Sequence, residues 1–464
     1  MKFVEAIANV FRVPDLRKRL FFALGLLAVY RLGGHIPTPG VDANKLSDFF
    51  TRNAGSFFGF VDLFSGGTLR RLTIFALGIM PYITASIILQ LLTVVVPTLE
   101  KLQKEGELGR RKITQWTRYL TVILALMQSF GIAAALQGAQ QGLVMNPGVG
   151  FTLMTMLSLT TGTAFIMWLG EQITERGIGN GMSLIIFTGI VVNLPNAIYE
   201  IVTKVQTGDW NAFQVLIILI MMIAVVAFIV LVERGERRIP VQYAKRVIGR
   251  RVMGGQSTHL PLKVNAGGVI PVIFASSLLA FPQTLMQAEF VKNSPVLSGM
   301  LTSIGGSQPL YYLLYTALII FFCFFYVSII FNPNEAADNM RKYGGFIPGI
   351  RPGRNTAEYM NKILTKITVV GGLYLSILSI LPQIMIAGIK LQRLPVMGNW
   401  IDAHFPRWLL DGLGVNFYFG GTSLLIVVGV AMDTVNQIEA QLIMRHYEGF
   451  TPRAGRIRGR RSSI

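Results

Sequence analysis

Residues 309–331 read PLYYLLYTALIIFFCFFYVSIIF and contain no Lys, Arg, Asp or Glu. A helix needs about 20 apolar residues to cross a hydrocarbon core of roughly 30 Å, so this stretch is typical of a transmembrane helix. The same test finds eight further uncharged runs and a tenth run that is interrupted by Arg31. The ten predicted spans are residues 20–36, 72–96, 119–136, 151–170, 181–199, 212–232, 266–287, 309–331, 367–389 and 415–432.

The composition of the whole chain is that of an integral membrane protein. Of its 464 residues, 52% are hydrophobic and only 14% are charged, which disfavours an ordinary cytosolic enzyme. The net charge of +19 would suit a nucleic-acid binder, but such a protein would not be this apolar. The 30 Phe and 14 Tyr exclude low-complexity disorder at this charge density. We predict an all-α polytopic membrane protein with ten transmembrane helices.

The distribution of basic residues predicts the orientation of the spans. Ten spans place both termini on one side, and the segments on that side hold 32 of the 42 Lys and Arg, while the opposite loops hold 9. Cytoplasmic segments carry such an excess, so we predict that both termini are cytoplasmic. The predicted cytoplasmic segments are residues 1–19, 97–118, 171–180, 233–265, 332–366 and 433–464.

Many of these basic residues lie far from any span, in the two long loops 233–265 and 332–366 and in the tail 441–464. One interpretation is a topology signal combined with attraction to anionic membrane lipids. The other is a docking surface for a large, negatively charged partner, such as ribosomal RNA or an acidic protein. The residues alone leave both interpretations open.

The stretch between the first two spans is unusual because its part SFFGFVDLFSGGTL, residues 56–69, is apolar but too short to cross a membrane. Irregular backbone at membrane depth is tolerated only where it is buried in protein or lines a cavity. We therefore predict a movable re-entrant helix with a flexible joint at Ser65, Gly66 and Gly67. The alternative is an interfacial amphipathic helix with no gating role.

The spans lack the groups on which active transport and catalysis depend. Arg31 and Asp433 are the only charged candidates near the spans, the four His are scattered, and Cys323 is a lone cysteine. We predict no catalytic residue, metal site, disulfide or cofactor. The glycines of residues 177–181, GIGNG, indicate a tight cytoplasmic turn. An apolar pathway fits a protein channel, a lipid scramblase or a transporter of hydrophobic solutes.

Five longer strings resemble the SecY family, the channel subunits of bacterial protein-translocation complexes. They are IFALGIMPYI (74–83), GEQITERGIGNG (170–181), QSTHLPLKVN (256–265), GFIPGIRPG (345–353) and FYFGGTS (417–423). The resemblance covers nearly the whole chain. It implies two pseudo-symmetric, inverted halves, residues 1–205 and 206–440, around a central pore, followed by the basic tail 441–464.

The resemblance also implies site residues. It places a plug on residues 56–71, which include Ser56, Phe60, Phe64, Gly66 and Gly67. It places an apolar pore ring on Ile79, Ile83, Met182, Ile186, Ile273 and Ile426, where Met182 departs from the usual branched aliphatic residue. A lateral gate falls on Thr84, Gln128, Ser276, Ser277 and Phe281, although ordinary small-residue packing explains its Ser and Thr equally well. Docking positions fall on Arg250, Arg251, Arg351 and Tyr447.

The resemblance implies that the chain works as a passive protein-conducting channel in the bacterial cytoplasmic membrane. It also implies that the chain is not an enzyme. Such a channel passes secretory polypeptides with signal sequences and releases transmembrane segments into lipid. The expected partners are SecE- and SecG-type small membrane subunits, a SecA-type motor ATPase, the ribosome, precursor polypeptides and membrane lipids. The competing hypothesis is an inverted-repeat transporter for a small solute, which would work without partners. An intramembrane enzyme would need a nucleophile or metal constellation, and none is identifiable.

Overall fold

A computed structural model shows a bundle of helices with a small sheet in the loops. The structure describes residues 13–41, 46, 65–138, 142–208, 212–243, 246–248, 251–253, 257–285, 308–387 and 421–448. The first seven helices are α1 Pro14–Gly33, α2 Met80–Val95, α3 Pro97–Lys104, α4 Glu107–Gly138, α5 Val149–Arg176, α6 Gly181–Val191 and α7 Leu194–Gln206.

The rest of the described chain contains six helices and five short strands. The helices are α8 Ala212–Glu233, α9 Ile270–Leu285, α10 Pro309–Ile330, α11 Pro333–Lys342, α12 Arg354–Ala387 and α13 Gly421–Glu448. The strands are β1 Glu236–Tyr243, β2 Arg246–Ile248, β3 Arg251–Met253, β4 Ser257–Lys263 and β5 Gly345–Phe346.

Each of the ten predicted spans overlaps a helix of the described chain. Six of the described helices, or continuous helical stretches, are long and apolar enough to cross a membrane, and the bent pair α2 and α3 would make a seventh. The axes of α2 and α3 differ by 99°, because Val96 is extended and Pro97 starts a new helix. The chain is therefore a multi-pass membrane protein of mainly helical fold.

The second predicted span begins later than the apolar pattern indicated. Residues 66–79 form turns with one isolated bridge, and α2 starts only at Met80, with Pro81 in its first turn. The backbone of the preceding residues pairs with the chain after α1: Thr38 N donates to Leu72 O over 2.8 Å, and Ile74 N donates to Ile36 O over 3.0 Å. These backbone groups have hydrogen-bond partners in the chain after α1, so they do not need the hydrogen bonds of a helix.

The two long loops form one sheet, which we call the loop sheet, with strand order β4-β1-β5. This sheet was not predicted from the sequence. Strand β1 pairs antiparallel with β4 along its length, from Glu236 opposite Lys263 to Gln242 opposite Ser257. Its other edge pairs with β5, which belongs to the second loop. Buried Ile239 and Val241 alternate with exposed residues, and Ile239 packs with residues of α10 and α12.

The interior of the bundle is uncharged. In the part of the chain that the structure describes, the buried polar side-chain groups are hydroxyls of Ser, Thr and Tyr and the amide of Asn265, and no buried residue carries a charge. The largest hydrophobic cluster draws residues from both halves of the sequence. The halves meet where α2 packs against α9 and where α6 packs against α13.

Candidate functional site

The six residues of the predicted pore ring lie in one hydrophobic cluster, although they come from four helices or helix starts. Five are buried, with exposed fractions of 6% or less, and Met182 is partly buried against the same cluster. They are Ile79, Ile83, Met182, Ile186, Ile273 and Ile426. The first four belong to the N-terminal half and the last two to the C-terminal half. All six therefore belong to the cluster that joins the two halves of the sequence.

The four ring residues from the N-terminal half form two pairs, and the members of each pair are four positions apart. Ile79 occupies the N-cap position of α2, and Ile83 N donates to Ile79 O over 3.1 Å. Residues four apart share one helix face, so both isoleucines project the same way. Met182 and Ile186 have the same relationship at the start of α6. A constriction made of such side chains contacts a passing chain only through apolar groups.

The start of α6 is fixed by the turn predicted from GIGNG. Asn180 caps α6, because its side-chain oxygen accepts from Met182 N over 3.1 Å and from Ser183 N over 3.4 Å. Gly181 N donates to Thr174 Oγ1 over 2.8 Å, which ties α6 back to α5. A Cβ at Gly181 would collide with the carbonyl oxygen of Gly170, and a Cβ at Gly170 would collide with the sulfur of Met182. The two glycines therefore allow Met182 to reach its place.

The predicted plug lies mostly outside the described residues: Ser56, Phe60 and Phe64 are among those not described. Its C-terminal end is described and is buried in protein, since Ser65, Thr68 and Leu69 are each 2% exposed. Gly66 and Gly67 have φ values of +72° and +80°, which glycine adopts at little cost. A Cβ at Gly66 would lie 2.9 Å from the carbonyl oxygen of Gly189 in α6. The joint therefore rests against the ring-bearing helix α6.

The predicted lateral gate lies on the seam where α9 packs against α2 and α4. Thr84 Oγ1 donates to Met80 O of its own helix over 3.0 Å, and Ser276 Oγ donates to Ile273 O over 2.9 Å. Neither of these two bonds crosses the seam. Ser277 Oγ is buried and has no hydrogen-bond partner among the described residues. Gln128 is half-buried on α4, and Phe281 is described only by its place on α9.

Three of the four predicted docking positions are among the described residues, in the two long loops and at the end of α13. Arg250 is outside the described residues, Arg251 begins β3, and Tyr447 lies in the last turn of α13. Arg351 is exposed in the loop between β5 and α12. Its backbone is anchored because Thr356 Oγ1 donates to Arg351 O over 2.9 Å. Arg351 thus lies on the same loop as β5, which pairs with the sheet of the other long loop.

Comparison with known proteins identifies the family of this chain. The family model described as SecY matches residues 73–435. The chain belongs to the SecY family. It is 49% identical to protein translocase subunit SecY of Escherichia coli (strain K12) over 445 residues, which cover 95% of each chain. It is 50% identical to protein translocase subunit SecY of Streptomyces galbus over 461 residues, which cover 96% of this chain and 99% of the relative.

Solved structures share the SecY fold at low sequence identity. The structure of a protein conducting channel matches with a TM-score of 0.64 and 17% identity, covering 93% of this chain and 94% of that one. Sec61 in the canine ribosome-channel complex from the endoplasmic reticulum matches with a TM-score of 0.60 and 17% identity, over the same shares of the two chains. The fold of this chain is that of these channels.

Two polar contacts of this SecY-family chain could not be found from its sequence. Arg31 Nη1 donates to Gly66 O over 3.1 Å, between residues 35 positions apart. Asn265 Nδ2 donates to Glu233 Oε1 over 2.6 Å, between the turn before α9 and the end of α8. Arg31 did have a sequence signal, because it interrupts an apolar run. Its partner is a backbone carbonyl, however, and no residue pattern indicates such a partner.

Proposed function

We propose that this chain is the protein-conducting subunit of a translocase, which passes unfolded secretory polypeptides through the membrane and releases transmembrane segments into lipid. The observation that carries the proposal is that six apolar side chains from both halves of the sequence belong to one hydrophobic cluster, in which no buried residue carries a charge. Contacts that are all weak and apolar suit a substrate of any sequence, because no strong site would arrest it. The same side chains would exclude ions by dewetting while they close around the moving chain.

The chain supplies the conduit, and partners supply the energy. The motor is a SecA-type ATPase or the elongating ribosome, and SecE- and SecG-type small membrane subunits complete the complex. The described basic residues of the docking region, with exposed Arg351 among them, are suited to ribosomal RNA or to an acidic face of the motor. The chain is not an enzyme and uses no cofactor or metal. Both termini and the docking region face the cytoplasm of a bacterium.

The plug and the lateral gate give this channel its two openings. Residues 56–71 close the pore at rest and move outward when a signal sequence inserts between α2 and α9. The hydroxyl groups of Thr84 and Ser276 bond within their own helices, so parting the two helices breaks neither bond. Residues 1–205 and 206–440 act as two halves that separate slightly at this seam.

Reconstitution tests this function. The purified chain and its small subunits are placed in vesicles of bacterial lipids, and protease protection of a radiolabelled precursor is measured with and without motor and ATP. We expect protection only when the motor, ATP and an intact signal sequence are all present. Uptake of a small solute by the chain alone, driven by an ion gradient and without precursor transport, would instead support the inverted-repeat transporter.

A further inference from the structure

The guanidinium of Arg31 is bound to the joint of the predicted plug. Arg31 lies in the last turn of α1, and its Nη1 donates to the carbonyl oxygen of Gly66 over 3.1 Å. The preceding residue contacts the same joint, because Tyr30 OH lies 3.5 Å from Ser65 O and is buried. The end of α1 therefore holds two successive carbonyl groups, those of Ser65 and Gly66.

The other side of the joint is closed by α6. The backbone of Gly66 approaches Gly189 so closely that a Cβ would lie 2.9 Å from the Gly189 carbonyl oxygen. A Cβ added at Gly67 would lie 3.8 Å from Asn193 Oδ1. The joint is thus enclosed between α1 and the helix that carries Met182 and Ile186. Displacing Gly66 from this position breaks the bond from Arg31, and displacing Ser65 breaks the bonds that its carbonyl oxygen accepts from Tyr30 and Thr68.

The residues after the joint are anchored independently of Arg31. Thr68 Oγ1 lies 3.0 Å from both Ser65 O and Phe75 O, and Thr73 N donates to Thr68 O over 3.0 Å. Residues 72–74 are bonded to residues 36–38. The chain from Thr68 onward is therefore anchored, and Gly66 and Gly67, with their positive φ values, lie directly before this anchored part. A bond to the Gly66 carbonyl acts at that point.

We propose that Arg31 is a positioning residue that holds the Gly66–Gly67 joint in its closed conformation and thereby sets how readily the channel opens. This proposal rests on the proposed function, since a joint matters only if residues 56–71 are a plug. A charged donor to a carbonyl in a partly buried site is worth enough to change the open population about tenfold or more.

The test is the resting ion conductance of the reconstituted complex in planar bilayers. We expect Arg31→Ala to raise it about tenfold or more and to allow transport of a precursor with a defective signal sequence. Arg31→Lys keeps the charge and one donor and should give an intermediate conductance. Arg19→Ala is the matched control, because it removes an exposed positive charge of the same helix, α1, outside residues 56–71, and its conductance should equal that of the unmodified channel.

Two results would overturn the proposal: an unchanged conductance in Arg31→Ala, or an equal rise in Arg19→Ala. Transport of a normal precursor separates a gating effect from misfolding, because a loosened joint keeps or increases that transport whereas general damage lowers it. If Arg31→Ala does not fold, the Arg31→Lys and Arg31→Gln variants carry the test, and each should leak more than Arg19→Ala. The unmodified complex is assayed for precursor transport in parallel, so failure of the channel function itself is seen separately.

Discussion

Asn265 donates a hydrogen bond to the carboxylate of Glu233 over 2.6 Å and a second one to Gly268 O over 3.1 Å. Asn265 is 5% exposed, so both bonds are made in a largely dry environment. Beside them, Val264 N donates to Gly235 O over 2.9 Å. These contacts join the base of the loop sheet to the start of α9, the helix that carries Ile273, Ser276 and Ser277. A force applied to the loop sheet would thus reach the gate helix through this point.

Removing the Asn265 amide should destabilise this junction. Asn265→Ala leaves the Glu233 carboxylate without its donor, and we expect a loss of about 1–3 kcal/mol in unfolding free energy. Asn265→Asp should cost more, because it places two carboxylates together. Thermal unfolding of the purified protein in detergent measures both. Asn361→Ala, at an exposed position of α12, is the control and should change the midpoint little.

The apolar ring should act as the ion seal of the resting channel. Ile83→Gly combined with Ile186→Gly removes two buried side chains from the ring cluster and should increase ion leak and loosen signal selectivity. The reason is that the apolar constriction that excludes water and ions becomes wider. Single-channel recording in planar bilayers measures the leak. An unchanged resting conductance would reject the sealing role of the ring.

The control for the ring pair is the same double substitution on surfaces away from the ring. Ile123 on α4 and Ile220 on α8 are 54% and 57% exposed in the isolated chain. Ile123→Gly with Ile220→Gly should destabilise the helices about as much as the ring pair does, by roughly 1 kcal/mol at each site, because glycine has a low helix propensity. It removes no side chain from the ring cluster. Its resting conductance should equal that of the unmodified channel. A leak of equal size in both pairs would indicate general loosening of the bundle.

The spans could be predicted from the sequence because the thickness of a membrane imposes one length on every crossing helix. Span length says nothing about backbone pairing, so the second span was predicted to begin at Leu72. The carbonyl of Leu72 accepts a hydrogen bond from Thr38 and is not part of a helix. The loop sheet was missed although Ile239 and Val241 are two residues apart and are flanked by the polar residues Arg238 and Gln242. Its β1 strand is short and includes three charged residues, and its partner β5 comes from a loop that begins almost a hundred residues later.

The candidate site was predictable only in part. The spacing of Ile79 with Ile83 and of Met182 with Ile186 shows which residues share a helix face, but not that both pairs belong to one hydrophobic cluster with Ile273 and Ile426. The contacts of Arg31 and Asn265 depend on how distant segments fold against each other, and Arg31 binds a backbone carbonyl that every residue possesses. The pore-ring, lateral-gate, plug and docking roles all stay predictions, and Ser56, Phe60, Phe64 and Arg250 lie outside the described residues.

Charge at the docking region should control motor-driven transport. Arg351 is exposed, and Thr356 anchors its backbone, so Arg351→Glu should leave the fold intact while it opposes a negatively charged partner. We expect reduced precursor transport into vesicles, with normal membrane insertion of the channel itself. Arg110→Glu is the control, because Arg110 is exposed in the first turn of α4, outside the two long loops and the tail. Equal transport by Arg351→Glu and the unmodified channel would contradict the docking role.

Close packing between α5 and the turn before α2 makes Gly162 intolerant of a side chain. A Cβ at Gly162 would collide with the carbonyl oxygen of Ile74 and lie 3.3 Å from the ring of Phe75. Because backbone cannot move aside cheaply, Gly162→Ala should lower the unfolding free energy by about 1–3 kcal/mol. Gly131 on α4 has open space at its Cβ position, so Gly131→Ala should be neutral or stabilise the helix by up to about 1 kcal/mol. Thermal unfolding in detergent measures both changes, and equal midpoints for the two variants would contradict the close approach of α5 to this turn.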